Sequence, residues 1–377
     1  MTFALASVAP RADLARPFAS VEVCGELAAA REAWGELGAA AGAYQTYGFA
    51  QACAAAFGGR LAIVVARDEA GRPVALLPLQ IARFGPLKIA GFLGGSWANY
   101  HMGLFRPGAN WSGDDVAALL RQAGARAGVD LFAFSSQPAR WEGLDNPLAQ
   151  LPCAPAPSPA FASALPASPS DWLDAHFSRA SQKKLRKKAR KLEAFGALAY
   201  VRAATPDEAA RFLDAFLAHK AAQAHARHAH DPFVRPGARD LLRRLATFGA
   251  MEVHALKAGE RIVAVFGALP GGRRLSGLVV SYDGDKEAAA GSPGEWLLIE
   301  VVRDAIGRGF QTFDLGVGES RYKHEICEIE ERLFDTAFGV TALGRAAAAA
   351  YLGGRAAMGA IKRRPRLFRL LQSLRGA

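Results

Sequence analysis

Two kinds of apolar pattern alternate along the first 150 residues and predict a mixed α and β unit. Two aliphatic runs between residues 60 and 84 flank the turn sequence Asp68-Glu69-Ala70-Gly71, which predicts a β-hairpin. Apolar residues at helical spacing follow Asp114 and predict a helix. The predicted order is helix 27–37, helix 48–57, hairpin 60–84, strand 87–94, helix 114–128 and strand 129–136.

The second half repeats this order of elements. Thr205 and Pro206 are followed by two acidic residues, which is typical of a helix start, and Ser292 and Pro293 form a similar start. The repetition predicts a duplicated α+β unit with a site between its halves. The predicted order is basic helix 171–195, strand 197–203, helix 205–225, helix 236–249, three strands in 251–283, helix 292–309, strand 310–318 and a basic helical tail.

A proline-rich stretch separates the two halves. Residues 152–170 contain six prolines in 19 residues. Proline removes a backbone donor and fixes φ, so a helix or a central strand is not expected in this stretch. We therefore expect residues 152–170 to form the connection between two domains.

Charge is concentrated in two segments of the 377-residue chain. The net charge is +11, but residues 171–200 contribute +5 (8 Lys/Arg, 3 Asp/Glu) and residues 345–377 contribute +8 (8 Lys/Arg, no acid), leaving −2 elsewhere. This distribution predicts a near-neutral body with two basic patches and argues against a uniformly cationic nucleic-acid binder. Four widely separated cysteines exclude a disulfide scaffold and suit a reducing compartment.

The chain shows no apolar run long enough for a membrane span and no signal-peptide pattern at its start, so a cytoplasmic protein is expected. Basic residues in 178–191 and 355–375, the latter mixed with leucines, could contact an anionic membrane at its inner face.

Several nucleotide and metal motifs are incomplete. Gly316 and Gly318 lack the third glycine of a dinucleotide fingerprint, because Arg321 occupies that position. There is no P-loop and no nucleophile elbow. His219, His225, His228 and His230 have no recognised ligand spacing, so no metal is expected.

Two regions hold candidate chemistry. The helix start near Ser292 would expose backbone N–H groups and a positive dipole end, which suits a pyrophosphate. Farther on, acyl transfer needs a base and oxyanion donors, which predicts a cleft wall made of Asp314, Glu319, Tyr322 and Lys323.

Three stretches resemble a known family. They are residues 77–105, the Arg/Lys-rich stretch 177–198 that ends in Leu-Glu-x-x-Gly, and 279–326 with Ser-Pro-Gly and Phe-Asp-x-Gly-x-Gly-x-x-x-Tyr-Lys. They resemble the CelD/BcsL or BioF-like GNAT acetyltransferase-domain proteins, which are related to the Fem aminoacyltransferases. The resemblance implies an α+β fold of two GNAT-like domains in tandem, each a mixed, mainly antiparallel sheet flanked by helices. The expected domains are 1–165 and 166–344, with a basic helical tail at 345–377.

The resemblance also implies a set of site residues. The donor, acetyl-CoA or another acyl-CoA, is expected at Val280, Ser281, Tyr282, Ser292, Gly294, Glu295 and Lys323. Asp314 or Glu319 is the expected base, with His101 as the alternative and Tyr322 as a proton donor to the leaving thiolate. Trp97, Asn99 and Tyr100 are expected to bind the acceptor. Two departures stand out: EAAAGSPG replaces the usual Q/R-x-x-G-x-G/A loop, and Asn99 replaces an acidic residue.

The implied function is transfer of an acetyl group to an amine or hydroxyl acceptor in exopolysaccharide assembly associated with cellulose synthesis. A polysaccharide or a lipid-linked sugar would then be the acceptor. One alternative is a Fem-like transferase that uses aminoacyl-tRNA. Another is a non-catalytic module that docks on a membrane or a synthase.

Overall fold

A computed structural model describes residues 16–38, 42–362 and 364. These residues form two large sheets, each covered by helices, and a separate two-stranded ribbon within residues 140–145. None of the helices within these residues is long and apolar enough to cross a membrane. Most of the predicted membrane-contact segment 355–375 lies outside the described residues.

The first half contains nine strands and three α-helices among its described residues. The strands are β1 Ser20–Cys24, β2 Arg60–Arg67, β3 Pro73–Phe84, β4 Leu87–Phe92, β5 Leu104–Phe105, β6 Leu131–Pro138, β7 Arg140–Trp141, β8 Leu144–Asp145 and β9 Cys153–Pro155. The helices are α1 Arg31–Leu37, α2 Tyr47–Phe57 and α3 Gly113–Ala127, with short 3₁₀ turns at Ala28–Ala30, Ala43–Gln45, Gly95–Trp97 and Pro147–Gln150.

The second half follows without a long loop. Its strands are β10 Ala160–Ala164, β11 Leu198–Arg202, β12 Glu252–Ala258, β13 Arg261–Gly271, β14 Arg274–Tyr282, β15 Thr312–Val317, β16 Ile329–Glu331 and β17 Leu333–Gly339. Its helices are α4 Pro169–His176, α5 Arg179–Ala189, α6 Pro206–Ala226, α7 Ala238–Thr247, α8 Lys286–Ala289, α9 Pro293–Gly307, α10 Arg321–Ile326 and α11 Ala342–Lys362, with 3₁₀ turns at Leu192–Phe195 and Pro232–Val234.

Both sheets have the same plan. The first runs β1-β2-β3-β4-β6-β17-β9, with β5 beside β3, and the second runs β11-β12-β13-β14-β15-β10-β16. Every pair is antiparallel except β4 with β6 and β14 with β15, which are parallel and joined through α3 and α9. The predicted duplication of a mainly antiparallel α+β unit is therefore confirmed.

The helices of the second half cover opposite faces of its sheet. Helix α9, with α4 and α5, packs on one face. Helices α6 and α7 pack on the other face, where α7 contacts α2 of the first half. One apolar core consequently runs from the first half into the second, and it brings the two sheets close at the ends of β14 and β15.

The boundary between the sheets differs from the predicted domain boundaries. Strand β10 lies between β15 and β16, although the proline-rich stretch was expected to hold no central strand. Its five residues contain no proline, because the prolines stand on either side of it. Strand β17 returns to the first sheet, where it pairs with β6 and β9. It lies within the predicted second domain, and neither β16 nor β17 was predicted.

The predicted basic helix 171–195 is divided into α4, α5 and a 3₁₀ turn. Phe177 is extended, and the Ser178 side chain accepts a hydrogen bond from the Ser181 N–H and thereby starts a new helix. The predicted helix start at Thr205 is confirmed, since its side chain accepts from the Glu208 N–H. The side-chain caps at Ser178 and Thr205, rather than the spacing of apolar residues, thus mark where α5 and α6 begin.

Candidate functional site

The central feature of the second sheet is a separation of its two parallel strands. Residues 274–276 of β14 pair with residues 312–314 of β15, and no pairing follows. Strand β14 continues beside β13 as far as Tyr282. We call the resulting opening, between residues 277–282 and residues 315–317, the strand fork. Its closed end lies at Ser276 and Asp314, and its open end at Tyr282.

The open end of the strand fork leads into the start of α9. Ser292 precedes α9 with a left-handed backbone (φ 53°), and its side chain makes no capping hydrogen bond. Instead the Lys188 Nζ of α5 donates to Ser292 Oγ at 2.9 Å and lies 3.8 Å from a Glu295 carboxylate oxygen. Backbone strain in a residue other than glycine is concentrated at functional sites. The start of α9 therefore has no side-chain cap on its first N–H groups, and a lysine side chain lies beside it.

The end of β14 is held mainly by α6. His219 Nδ1 lies 3.1 Å from Ser281 Oγ, and Gln223 Nε2 donates to the Tyr282 carbonyl at 2.7 Å. Ser281 is buried, and Val280 packs in the core beside α9. Of the predicted donor residues on β14, only Tyr282 presents an exposed side chain, and its ring faces Gly294.

The closed end of the strand fork is bridged by Asn99 of the first half. Its Nδ2 donates to the Gly277 carbonyl at 3.1 Å, and its Oδ1 accepts from the Val317 N–H at 3.2 Å. The same Nδ2 donates to Tyr44 Oη at 2.6 Å. A side-chain amide therefore occupies the position in which the next pair of strand residues would meet.

The sequence predicted Asp314 in the wall of a cleft. The structure instead places it fully buried beside the Asn99 bridge. Tyr100 Oη donates to it at 2.9 Å, Ser276 Oγ at 3.0 Å and the Gly316 N–H at 2.6 Å. Burial raises the pKa of Asp314 to about 6, against the opposing effect of Arg274. Its oxygen atoms already accept three hydrogen bonds, so the side chain holds the two halves together.

Arg274 completes this buried cluster. Its guanidinium makes a two-point ion pair with Glu331, at 3.1 and 2.7 Å, and lies 3.8 Å from Asp314. It also lies 4.3 Å from the ring centre of Trp141 in the first half. The cation thus contacts two carboxylates of the second half and an aromatic ring of the first.

The remaining predicted residues of β15 and α10 are divided between core and surface. Lys323 is buried, and its Nζ donates to the carbonyls of Gly316 and Val317 at 3.1 and 3.0 Å. Burial lowers its pKa. These two hydrogen bonds secure the end of β15. Tyr322 is 37% exposed, and Glu319 is exposed beyond the end of β15.

His101 is not brought to the strand fork. It lies where β4 and β6 separate in the first sheet, with Nδ1 at 2.8 Å from the Ser135 carbonyl and its ring stacked on Phe92. The residue is buried, and burial lowers its pKa.

Trp97 packs between Phe57 and Phe233, so it is also mainly a packing residue. A separate cleft of about 600 Å³, lined by parts of 105–111 and 139–150, contains none of the predicted residues.

Several residues of the site were not singled out from the sequence, among them Tyr44, Arg274, Ser276, Glu331 and, as an individual, Lys188. Lys188 belongs to the basic segment 178–191 that was expected to contact an anionic membrane, so a signal existed. Tyr44, Arg274 and Glu331 come from distant parts of the chain. Only the pairing of the two sheets brings them together, and no local pattern marks them.

Comparison with known proteins identifies the class of fold. Residues 179–324 match the family described as an acetyltransferase (GNAT) domain. The crystal structure of FemX is similar with a TM-score of 0.56 and 9% identity, over 78% of this chain and 91% of that one. A C-terminal domain of a putative lysylphosphatidylglycerol synthetase from Agrobacterium fabrum gives 0.52 and 12%, over 86% and 95%. No curated protein sequence matches the chain.

The chain therefore has two GNAT-like domains in tandem. The residues of the second half that match the GNAT domain include both the strand fork and the start of α9.

We expect Gly316→Ala to destabilise the protein strongly. Gly316 has φ 71°, and a Cβ atom there would overlap the Asn99 carboxamide. Left-handed strain alone costs about 1–2 kcal/mol, and displacing Asn99 adds to it, so a loss of roughly 3 kcal/mol is expected in urea unfolding. Gly353→Ala in α11 is the control, since nothing lies within 4 Å of that position. Equal stabilities of the two variants would contradict this account of the fork.

Asp314 should make the free energy of unfolding depend on pH. Its pKa of about 6 in the folded protein lies above the ordinary aspartate value of 3.8, so the folded protein binds the proton more tightly. The stability that Asp314 contributes is present at low pH and is lost as pH rises from about 4 to 6. The difference between wild type and Asp314→Asn should fall by roughly 3 kcal/mol over this range and then level off. Urea unfolding across pH 4–8 measures it, and a constant difference would contradict the prediction.

Proposed function

We propose that the chain is an acyl-CoA-dependent acyltransferase that binds its donor in the strand fork of the second half. The observation that carries the proposal is the combination of an open strand edge with the Lys188–Ser292 helix start, inside the residues that match the GNAT domain. The resemblance to CelD/BcsL-type proteins supports acetyl-CoA as the donor. It also supports a hydroxyl or amine acceptor in exopolysaccharide assembly.

The open end of the strand fork suits the phosphates of the donor. The first backbone N–H groups of α9 have no partner within the helix, and the helix dipole favours an anion there. Lys188 contributes a positive charge at 2.9 Å from Ser292 Oγ. A bound phosphate would take over hydrogen bonds from Lys188 and from the N–H groups near Gly294 and Glu295.

The free edge of β14 suits the extended arm of the donor. Beyond Ser276, this strand pairs with β13 on one side only. Six residues, 277–282, extend over roughly 20 Å at the usual strand rise. A chain that carries amide groups can pair with such an edge as an added strand does. Phosphates at the open end would place the reactive end of the arm near the closed end.

The proposed chemistry is direct transfer. The acceptor nitrogen or oxygen attacks the thioester carbonyl, the C–S bond breaks, the thiolate leaves, and a base takes the acceptor proton. Glu319 is the proposed base, because it is the exposed one of the two carboxylates expected in that role. It follows β15 on the open side of the strand fork, so residues 318–320 would have to fold over the bound donor to bring it to the thioester. Tyr322 would return a proton to the thiolate. Asp314 positions Tyr100 and Ser276 instead of acting as the base.

A donor attached to tRNA is the second candidate, and the surface of α5 favours it. Eight of the residues 179–191 are lysine or arginine. Among the described residues, only Lys188 of these eight forms an ion pair with a carboxylate. Such a surface attracts a polyanion, either RNA or an anionic membrane. Fem-type transferases, which the sequence resembles, would use it for aminoacyl-tRNA.

We expect calorimetric titration to detect micromolar binding of acetyl-CoA and of free CoA. Lys188→Gln should weaken both about tenfold, since a charge-assisted phosphate contact is worth about 1.4 kcal/mol. Lys183→Gln is the matched control, because Lys183 is exposed elsewhere on the same helix and should bind as wild type does. Binding of tRNA without binding of CoA would favour the second candidate. Absence of both would support a non-catalytic module.

Glu319→Gln should lower kcat at least about 100-fold with little change in the dissociation constant of the donor, because a base acts in the transition state. The measurement is release of CoA from acetyl-CoA with a panel of amine and saccharide acceptors. Glu330→Gln, another exposed carboxylate, is the control. Unchanged turnover in Glu319→Gln would remove Glu319 from the mechanism.

A further inference from the structure

The closed end of the strand fork has no free space. A single added carbon on Gly316 would overlap the side chain of Asn99. One on Gly277 would lie 2.7 Å from the Phe266 ring and 3.3 Å from the Asp314 carbonyl. Only the first of these clashes bears on the opening, because a Cβ atom points to a face of the sheet and the one at Gly277 would meet Phe266 of the neighbouring strand β13. The contact at Gly316 places Asn99 directly against β15, so the fork ends at Asn99.

Asn99 is well suited to seal this end. Its carboxamide offers the same donor and acceptor as a peptide group, and it satisfies a carbonyl of β14 and an N–H of β15 together. Without Asn99, the Val317 N–H would lose this partner, and the Gly277 carbonyl would keep only the longer hydrogen bond, at 3.4 Å, from Tyr44 Oη. Moving Asn99 aside would therefore break hydrogen bonds on both strands.

Tyr44 fixes Asn99 in place. Its Oη accepts from Asn99 Nδ2 at 2.6 Å and lies 3.4 Å from the Gly277 carbonyl. The Tyr44 ring is buried, with Phe49 edge-on at 5.3 Å and Tyr100 at 6.1 Å between ring centres. Packing from the first half thus keeps the carboxamide from rotating out of the fork.

We propose that Asn99, held by Tyr44, sets the depth of the strand fork and limits the donor to an acyl group of about acetyl size. This inference rests on the proposed binding of acyl-CoA in the fork. With the phosphates at Ser292, the acyl end of the donor points toward Gly277 and Asn99. Each further methylene would have to displace Asn99 and the hydrogen bonds that it makes. The first half of the chain would then select the substrate of the second.

The test is calorimetric titration with CoA, acetyl-CoA, butyryl-CoA and hexanoyl-CoA. Wild type should bind butyryl-CoA and hexanoyl-CoA at least tenfold more weakly than acetyl-CoA. Asn99→Ala should bring butyryl-CoA to within about threefold of acetyl-CoA. Asn99→Asp keeps the volume but loses both hydrogen bonds that Nδ2 donates, so its discrimination should lie between those of wild type and Asn99→Ala. Asn110→Ala changes an exposed asparagine of the first half and is the control, which should discriminate as wild type does.

Thermal unfolding of each variant identifies those that fail to fold. If Asn99→Ala does not fold, Tyr44→Phe replaces it; loss of the hydroxyl frees the carboxamide and should reduce the discrimination at least threefold. Equal binding of all chain lengths by wild type, or unchanged discrimination in the folded Asn99→Ala or Tyr44→Phe variant, overturns the inference and leaves the proposed function standing. Absence of CoA binding in wild type instead contradicts the proposed function itself.

Discussion

The separation of β14 from β15 is the constraint around which the two halves are arranged. Two parallel strands that separate after three residue pairs leave backbone donors and acceptors facing an opening. Buried backbone groups of this kind need partners. The chain supplies one pair of them from Asn99 at the closed end and leaves the longer edge of β14 free. The hydrogen bonds of Asn99 to the backbone of β14 and β15 therefore help to fix the position of the first half against the second sheet.

A buried charge cluster reinforces this contact. Arg274, Asp314 and Glu331 lie together under Trp141 and Tyr100. Removing charges from water is costly, and buried ion pairs often do not repay that cost with stability. The raised pKa of Asp314 reflects the same cost. The cluster instead favours one relative position of the two sheets, because the hydrogen bond from Tyr100 to Asp314 forms only in that position.

Local signals predicted most elements, and long-range pairing explains the failures. The turn at 68–71 and the cap at Thr205 are encoded within a few residues, and both are present. Strand β17 has no local signal that assigns it to the first sheet, and β10 was obscured by the prolines around it. At the site, the 94–101 loop and residues 314–323 were both singled out. The roles of these residues could not be predicted from the sequence. Whether Asp314 and Lys323 are buried depends on segments that are distant in the chain, such as the one that carries Tyr100.

The two halves use the same plan but cap the corresponding helix differently. In the first half, Ser112 and Asp115 form a capping box at the start of α3: Ser112 Oγ accepts from the Asp115 N–H, and the Asp115 carboxylate accepts from the Ser112 N–H. His101 occupies the place where β4 and β6 separate. In the second half, Ser292 makes no cap and Lys188 brings a positive charge instead. Both helices carry a carboxylate in their first turn, Asp115 in α3 and Glu295 in α9, but only in α9 is that carboxylate beside a lysine and the first turn without a side-chain cap. The corresponding helix starts of the two halves have therefore diverged, which the order of elements alone does not reveal.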